Sequence, residues 1–207
     1  DPKTGRAFHF PQTLSGGGWG ALHDRDGQNA TFCINDGDTH NTPVEAGEGK
    51  GPIFISYRKL REDSGGPGKF RGGLGVAQEV QMLAPAGVQS AMERTCCAPW
   101  GLHGGKDAMA NRCSIVRKDG SLQRLSTGKP AGHVALEAGE GFLIEVGGGG
   151  GFWNPLEGDP ARVLDDVRSG YVSLEAARRD YGVAIRQNGR KFELDLAATQ
   201  ELRRRHH

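Results

Sequence analysis

The chain has 207 residues, with 34 Gly and 10 Pro, enough for one domain or two small ones. Lys and Arg number 26 against 25 Asp and Glu, a net charge of +1, so no global field recruits nucleic acid. No apolar run approaches the ~18 residues of a membrane-spanning helix, and no signal peptide is visible, so no membrane partner is expected.

Residues 1–51 are polar and loop-rich, and only Ala7–Phe10 and Thr31–Ile34 suggest short strands. Residues 52–146 read as β. Ile53, Ile55 and Tyr57 alternate, as do Leu74, Val76, Val80 and Met82 with a break, then Val88 and Met92, then Ile115 and Leu143. Gly and Pro clusters separate these runs, and helical periodicity is absent.

The last sixty residues change character. Asp159-Pro160 is an N-cap followed by Pro at the first helical position, Val163, Leu164 and Val167 share a face, and Gly170 stops the helix. Ser173 caps a second helix that puts Leu174, Ala177 and Tyr181 together and ends at Gly182. Asn188-Gly189 is a hairpin turn signal. Counting outward pairs Ile185 with Phe192 and Val183 with Leu194, all on one face. Asp195 starts a last helix to about Arg205, whose run Arg203-Arg204-Arg205 suits a helix C-terminus. The expected fold is α+β. An irregular, mainly antiparallel β body fills residues 1–156, and a small helix-helix-hairpin-helix segment fills 157–207.

Several motifs imitate familiar chemistry. Asp63-Ser64-Gly65-Gly66-Pro67 copies the surroundings of a serine-protease nucleophile, but no matching His and Asp context lies upstream, so a tight turn between strands is expected. Gly68-Lys69 and Gly105-Lys106 lack the Ser or Thr and the first Gly of a phosphate loop. Gly16–Ala21 fits G-x-G-x-x-A, but no βαβ unit follows. Asp24, Asp26, Asp36, Asp38 and His40 are crowded but lack the spacing of a calcium loop and read as turn carboxylates. Cys97, His103 and Cys113 are zinc-type ligands without a C-x-x-C pair. The four cysteines, with Cys33 and Cys96, follow no disulfide framework and point to a reducing compartment, here the cytoplasm. No metal site is assigned within the chain.

The segment Asp63–Gly73 holds five glycines with Lys69, Arg71 and Asp63, and is about twice an ordinary hairpin loop. Two readings apply. Asp63 pairs with Lys69 or Arg71 across a surface turn, or Arg71 reaches an anionic intermediate or a partner, where its fork grips two oxygens at once. Asn41-Thr42-Pro43 is a turn-forming run. Asn41 and Glu45, with Glu48 nearby, either hold loops together or face a reaction chamber.

Taken in order, GGGWGA (16–21), GDTHNTPVE (37–45), DSGGPGKFRGGLG (63–75), APWGLHGG (98–105) and GGGGGFWNP (147–155) resemble the hydantoinase B/oxoprolinase family. Asp159–Gly170 and SLEAARRDYG (173–182) continue the match. The resemblance covers the C-terminal part of a family subunit. The chain also begins Asp1-Pro2 without Met, as expected of a processed product or a piece of something longer. GQNATF (27–32) departs where many members carry His-x-His, so no function of that pair carries over. Gly51 stands where an aromatic often precedes the Pro.

The resemblance implies an enzyme subunit, inactive alone, in a hetero-oligomer. An A-type ATPase subunit with ATP and Mg phosphorylates a cyclic amide, or bicarbonate when the substrate is a ketone. The B-type subunit then completes amide opening or carboxyl transfer. A divalent metal would belong to the N-terminal part of the B-type subunit. The implied partners are therefore that N-terminal part, the A-type subunit and a small cyclic amide or ketone. Candidate catalytic residues are Asn41, Glu45 and Arg71, and candidate substrate-binding residues are Asp63, Lys69 and Arg94. An ATP-dependent cyclic-amide hydrolase is expected first. A ketone carboxylase, or an assembly module without catalytic residues, is the alternative.

Overall fold

The structure, a computed structural model, describes residues 16–31, 42–125 and 134–205, together with Gly5 and Ala7. The first element is a short helix, α1 (Val44–Lys50), where the sequence suggested only loop. Pro43 starts it, Glu45 lies in its first turn and Lys50 in its last, so the charges match the helix dipole despite the internal Gly47 and Gly49. Glu48 fixes the helix to the next strand by accepting a hydrogen bond from the Ile55 backbone N–H at 2.8 Å.

Strands β1 (Ile53–Leu60), β2 (Val76–Met82), β4 (Arg112–Val116), β5 (Leu122–Arg124) and β7 (Gly141–Glu145) form one sheet in the order β1-β2-β7-β4-β5. Every pairing in it is antiparallel. The register aligns Ile55, Val80, Phe142 and Ile115 across four strands. These residues, with Ile53, Met82 and Leu136, make the core of the body. A second ladder, β3 (Ala86–Val88) with β6 (Val134–Leu136), covers that core. Burial of each such side chain contributes roughly 1.5–3 kcal/mol. A bulge between Ile55 and Tyr57 puts Tyr57 and Lys59 on the opposite face of β1. Met92, expected in a strand, lies in a loop.

Beyond a 3-10 turn at Pro155–Glu157 come α2 (Pro160–Arg168), α3 (Leu174–Tyr181), the hairpin β8 (Ile185–Asn188) and β9 (Lys191–Leu194), and α4 (Leu196–Arg205). The expected α+β class and this element order hold. Asp159 accepts from the Ala161 N–H at 2.9 Å and Ser173 from the Ala176 N–H at 3.0 Å, as N-caps do. Gly182 closes α3 in the left-handed region at φ +61°. Val163, Val167, Val172, Ala177, Tyr181 and Val183 form a second apolar cluster.

The hairpin register differs from the expectation by two residues. Ile185 faces Leu194, not Phe192, and Gln187 faces Phe192. The loop is therefore Gly189-Arg190, with Gly189 at φ +59° taking the first loop position. A shift of two keeps every side chain on its face, so Ile185, Phe192 and Leu194 still pack on the second cluster.

No helix among the described residues is long and apolar enough to cross a membrane.

Candidate functional site

The glycine-rich motifs, scattered along the sequence, converge. Residues 147–152 run through the middle of three other segments. Gly18 N–H donates to Gly147 O (3.1 Å), Gly149 N–H to Gly73 O (2.9 Å), Gly66 N–H to Gly149 O (2.8 Å) and Ala21 N–H to Gly150 O (2.9 Å). Leu102 N–H donates to Gly151 O (2.9 Å), and Phe70 and Phe152 exchange bonds at 3.1 and 3.0 Å. A strand in a sheet has two neighbours, whereas this segment bonds to segments on several sides. Such packing leaves no room for side chains. A Cβ on Gly72 would lie 1.7 Å from Gly149 O, and one on Gly149 would lie 1.9 Å from Trp19 O. The glycine content of this bundle thus reflects backbone approaching backbone.

Ser64 sits inside this bundle, fully buried. Its hydroxyl donates to Arg61 O at 2.5 Å and accepts from the Gly75 N–H at 3.0 Å. That geometry belongs to the expected tight turn and leaves no nucleophile facing solvent.

Two of the predicted site residues reach far beyond their loop. Arg71 is 5% exposed. Its Nε donates to Asp166 Oδ2 at 2.8 Å and its Nη2 to Asp166 Oδ1 at 3.3 Å. Its Nη1 donates to Gly72 O at 2.7 Å, and its guanidinium lies 5.2 Å from the Tyr171 ring centre. Burial alone would lower the Arg71 pKa, but the hydrogen bond and charge of Asp166, helped by Asp26, outweigh it and raise it. Asp63, at φ +59°, accepts from the Ser173 N–H at 2.8 Å and donates its own N–H to Tyr171 O at 3.0 Å. The pairing of Asp63 with Lys69 or Arg71 across the turn is therefore not formed. Both residues tie the glycine loop to the start of α3 and to α2.

The other predicted residues lie apart. Lys69 is exposed, and its ammonium has no hydrogen-bond or ion-pair partner among the described residues. Arg94 is exposed, at φ +52°, 5.2 Å above the Trp100 ring. Glu45 is exposed on the first turn of α1. Asn41, Cys33, Asp36, Asp38 and His40 lie outside the described residues, as do the suggested strands apart from Ala7 and Thr31.

A cleft of about 200 Å³ opens between the bundle and α3. Lys106 Nζ lies 2.9 Å from Asp180 Oδ1, and Arg179 Nη2 lies 2.7 Å from Asp180 Oδ2. Burial pushes the Asp180 pKa up, but the bonds from Arg179 and Lys106 prevail and hold it below the usual carboxylate value. Both cations of the cleft are thus engaged by Asp180, and Arg179 also meets Glu175 at 3.5 Å. The sequence carries a faint sign of Asp180, which falls on the buried stripe of α3 with Ala176, Ala177 and Tyr181. Asp26 likewise serves as a structural anchor, accepting from Arg71 N at 2.8 Å and from Arg162 Nη2 at 2.6 Å.

Among the described residues no group of three or more His, Cys, Asp or Glu is gathered to hold a metal ion, and Cys97, His103 and Cys113 do not converge. No step through a metal is assigned to these residues. Cys96 and Cys97 are exposed free thiols, and burial pushes the Cys113 thiol pKa up.

The family described as Hydantoinase B/oxoprolinase matches residues 1–155. The putative B subunit of a D-/L-hydantoinase from Pseudomonas sp. (strain NS671) is 34% identical over 191 residues, which cover 91% of this chain and 31% of that protein. The solved structure of ATP-dependent caprolactamase from Pseudomonas jessenii has a TM-score of 0.76 at 30% identity, covering 91% of this chain and 32% of that one. A nucleotide-free acetone carboxylase structure has a TM-score of 0.74 at 23% identity, over 92% of this chain and 29% of that one, a likeness of fold. The chain spans about a third of the length of each of these proteins.

Proposed function

This chain belongs to the hydantoinase B/oxoprolinase family, and we propose that it is the C-terminal portion of the B-type component of an ATP-dependent cyclic-amide hydrolase. One observation carries the reading. Two relatives named for cyclic-amide chemistry, the hydantoinase B subunit and caprolactamase, each match 91% of the chain at 30% identity or more, whereas acetone carboxylase at 23% shares the fold alone.

A cyclic amide is a poor electrophile because resonance protects its carbonyl. Phosphorylation of the amide oxygen, with ATP and Mg on an A-type partner subunit, supplies a leaving group. Water then adds to the activated carbon, the C–N bond breaks as nitrogen takes a proton to leave an acyl phosphate, and a second water adds at the same carbon so that phosphate departs with the former carbonyl oxygen. The B-type component has to hold an anionic intermediate away from bulk water.

In this reading the glycine bundle is the rigid frame, and Arg71 and Asp63 are positioning residues that lock it to α2 and α3. Residues 1–156 and 157–207 are then two units joined by those contacts. The exposed cations Lys69 and Arg94 meet the phosphorylated intermediate or the partner subunit, and Asn41 and Glu45 lie toward the reaction chamber. Free thiols suit a cytoplasmic setting for such a complex.

The test is a turnover panel. The polypeptide that carries this chain, purified with its partner subunits, is assayed with hydantoin, 5-oxoproline, lactams and ketones, with and without ATP and labelled bicarbonate. ATP-dependent ring opening without fixation of bicarbonate supports the reading. Incorporation of bicarbonate into an acid product supports the carboxylase alternative.

A further inference from the structure

The outer face of the main sheet carries a second cavity that none of the chemistry above uses. Its volume is about 360 Å³, enough for a small organic ligand. The sheet register explains it. Lys59, Ala77, Glu145 and Arg112 stand in one row across β1, β2, β7 and β4. Ala77 is the smallest residue of that row, so the row dips there. The turn at Gly170, just after α2, borders the hollow from the C-terminal segment.

The charges around it are unevenly satisfied. Arg61 lies at the base with a side chain 7% exposed, and its Nε is 3.3 Å from Glu145 Oε1. Its Nη1 donates to Ala110 O at 2.8 Å and to Val146 O at 3.3 Å, so this pair is anchored and neutral overall. Lys59 and Glu62 also line the cavity, and among the described residues neither has an ion-pair partner. The Lys59 ammonium rests 5.2 Å from the centre of the Tyr57 ring, at the same cavity. One unpaired cation and one unpaired anion therefore share a hollow with an apolar floor of Ala77 and Leu143.

We propose that this cavity binds a small amino-acid zwitterion, with the ligand carboxylate on Lys59 and its ammonium on Glu62. A singly charged ligand would leave one of the two groups unanswered. Lys59 lies in β1 and Glu62 in the turn that follows it, so two separate side chains hold the two charges, and an ω-amino acid, whose charges are separated by a carbon chain, suits them. Burial, with the charges of Glu79 and Glu145, raises the Tyr57 pKa, so its phenol stays protonated as a donor for the same carboxylate. The site stands on the sheet face itself. Only the source of its ligand rests on the cyclic-amide reading, because opening a lactam yields an amine and a carboxylate in one molecule.

Isothermal titration of this chain with 4-aminobutyrate and 6-aminohexanoate, against butyrate and butylammonium, tests the proposal. The zwitterions should saturate one site and bind at least about tenfold tighter than either singly charged analogue. Lys59→Gln and Glu62→Gln, both at exposed positions, should each weaken binding about tenfold, and Ala77→Leu should abolish it by filling the hollow. Absence of saturable binding by the wild-type chain overturns the site. So does equal binding of butyrate, or wild-type affinity in a folded Ala77→Leu variant. Such a failure leaves ATP-dependent ring opening by the complex untouched, and loss of ring opening leaves this titration untouched.

Discussion

Arg71 and Asp166 stand 95 residues apart in the chain and meet in a forked ion pair, Nε to Oδ2 at 2.8 Å. The pair joins the glycine loop to α2, and both side chains are largely buried, at 6% and 19% exposure. Removing one partner of such a pair strands the other charge, at a cost of about 3–5 kcal/mol. Asp166→Ala should therefore lower the urea unfolding free energy by roughly 3 kcal/mol. Arg71→Lys keeps the charge but loses the fork and should cost less, about 1–3 kcal/mol. An unchanged unfolding midpoint in Asp166→Ala would show that the pair does not hold α2 to the body.

The glycines divide into two classes with opposite predictions. Gly149→Ala would set a Cβ 1.9 Å from Trp19 O, a backbone atom that cannot move aside alone. That variant should fail to give a cooperative unfolding transition. Gly49 lies in α1 with open space around it and no left-handed backbone, so Gly49→Ala should stabilise by about 0.5–1 kcal/mol. Circular dichroism melts of the two variants check both signs.

How much of this was legible beforehand varies with how local the signal is. Helices α2 and α3 could be read because Asp159, Ser173 and Gly182 act within a few residues of themselves. The hairpin face was legible, but its register was not, because Asn188-Gly189 and Gly189-Arg190 both place a glycine in a two-residue loop. Helix α1 was hidden by Pro43, Gly47 and Gly49, and its Glu48 contact to Ile55 is tertiary. The bundle around 147–152 was unreadable, because a glycine marks close approach without naming the chain that approaches. The fates of Arg71 and Asp63 depended on partners 95 and 110 residues away.

Ser64 should behave as a structural hydroxyl. A fluorophosphonate probe should leave it unlabelled in the folded protein. Ser64→Ala removes the acceptor of the buried Gly75 N–H and should cost about 1–3 kcal/mol. Stoichiometric labelling at Ser64 would contradict the buried turn.

Asp180 links the stability of the α3 contact to pH. Its folded pKa lies below the ordinary value, held there by Arg179 and Lys106 against burial. Its contribution is therefore fully present above the unfolded carboxylate pKa of about 3.9 and is lost as pH falls through the lower folded value. The stability gap between wild type and Asp180→Asn should be constant near neutrality and narrow below about pH 4. Urea midpoints measured across that range check this, and a gap that stays constant into acid would remove Asp180 from the linkage.

The central claim, activation of a cyclic amide by phosphorylation in a complex that includes this chain, is most directly tested by isotope transfer. A lactam or hydantoin carrying oxygen-18 in its amide carbonyl is turned over by the purified complex with ATP, and the phosphate is analysed by mass spectrometry. The account predicts that the label appears in inorganic phosphate, one oxygen per ring opened. ATP hydrolysis with the label wholly retained in the carboxylate product would contradict it.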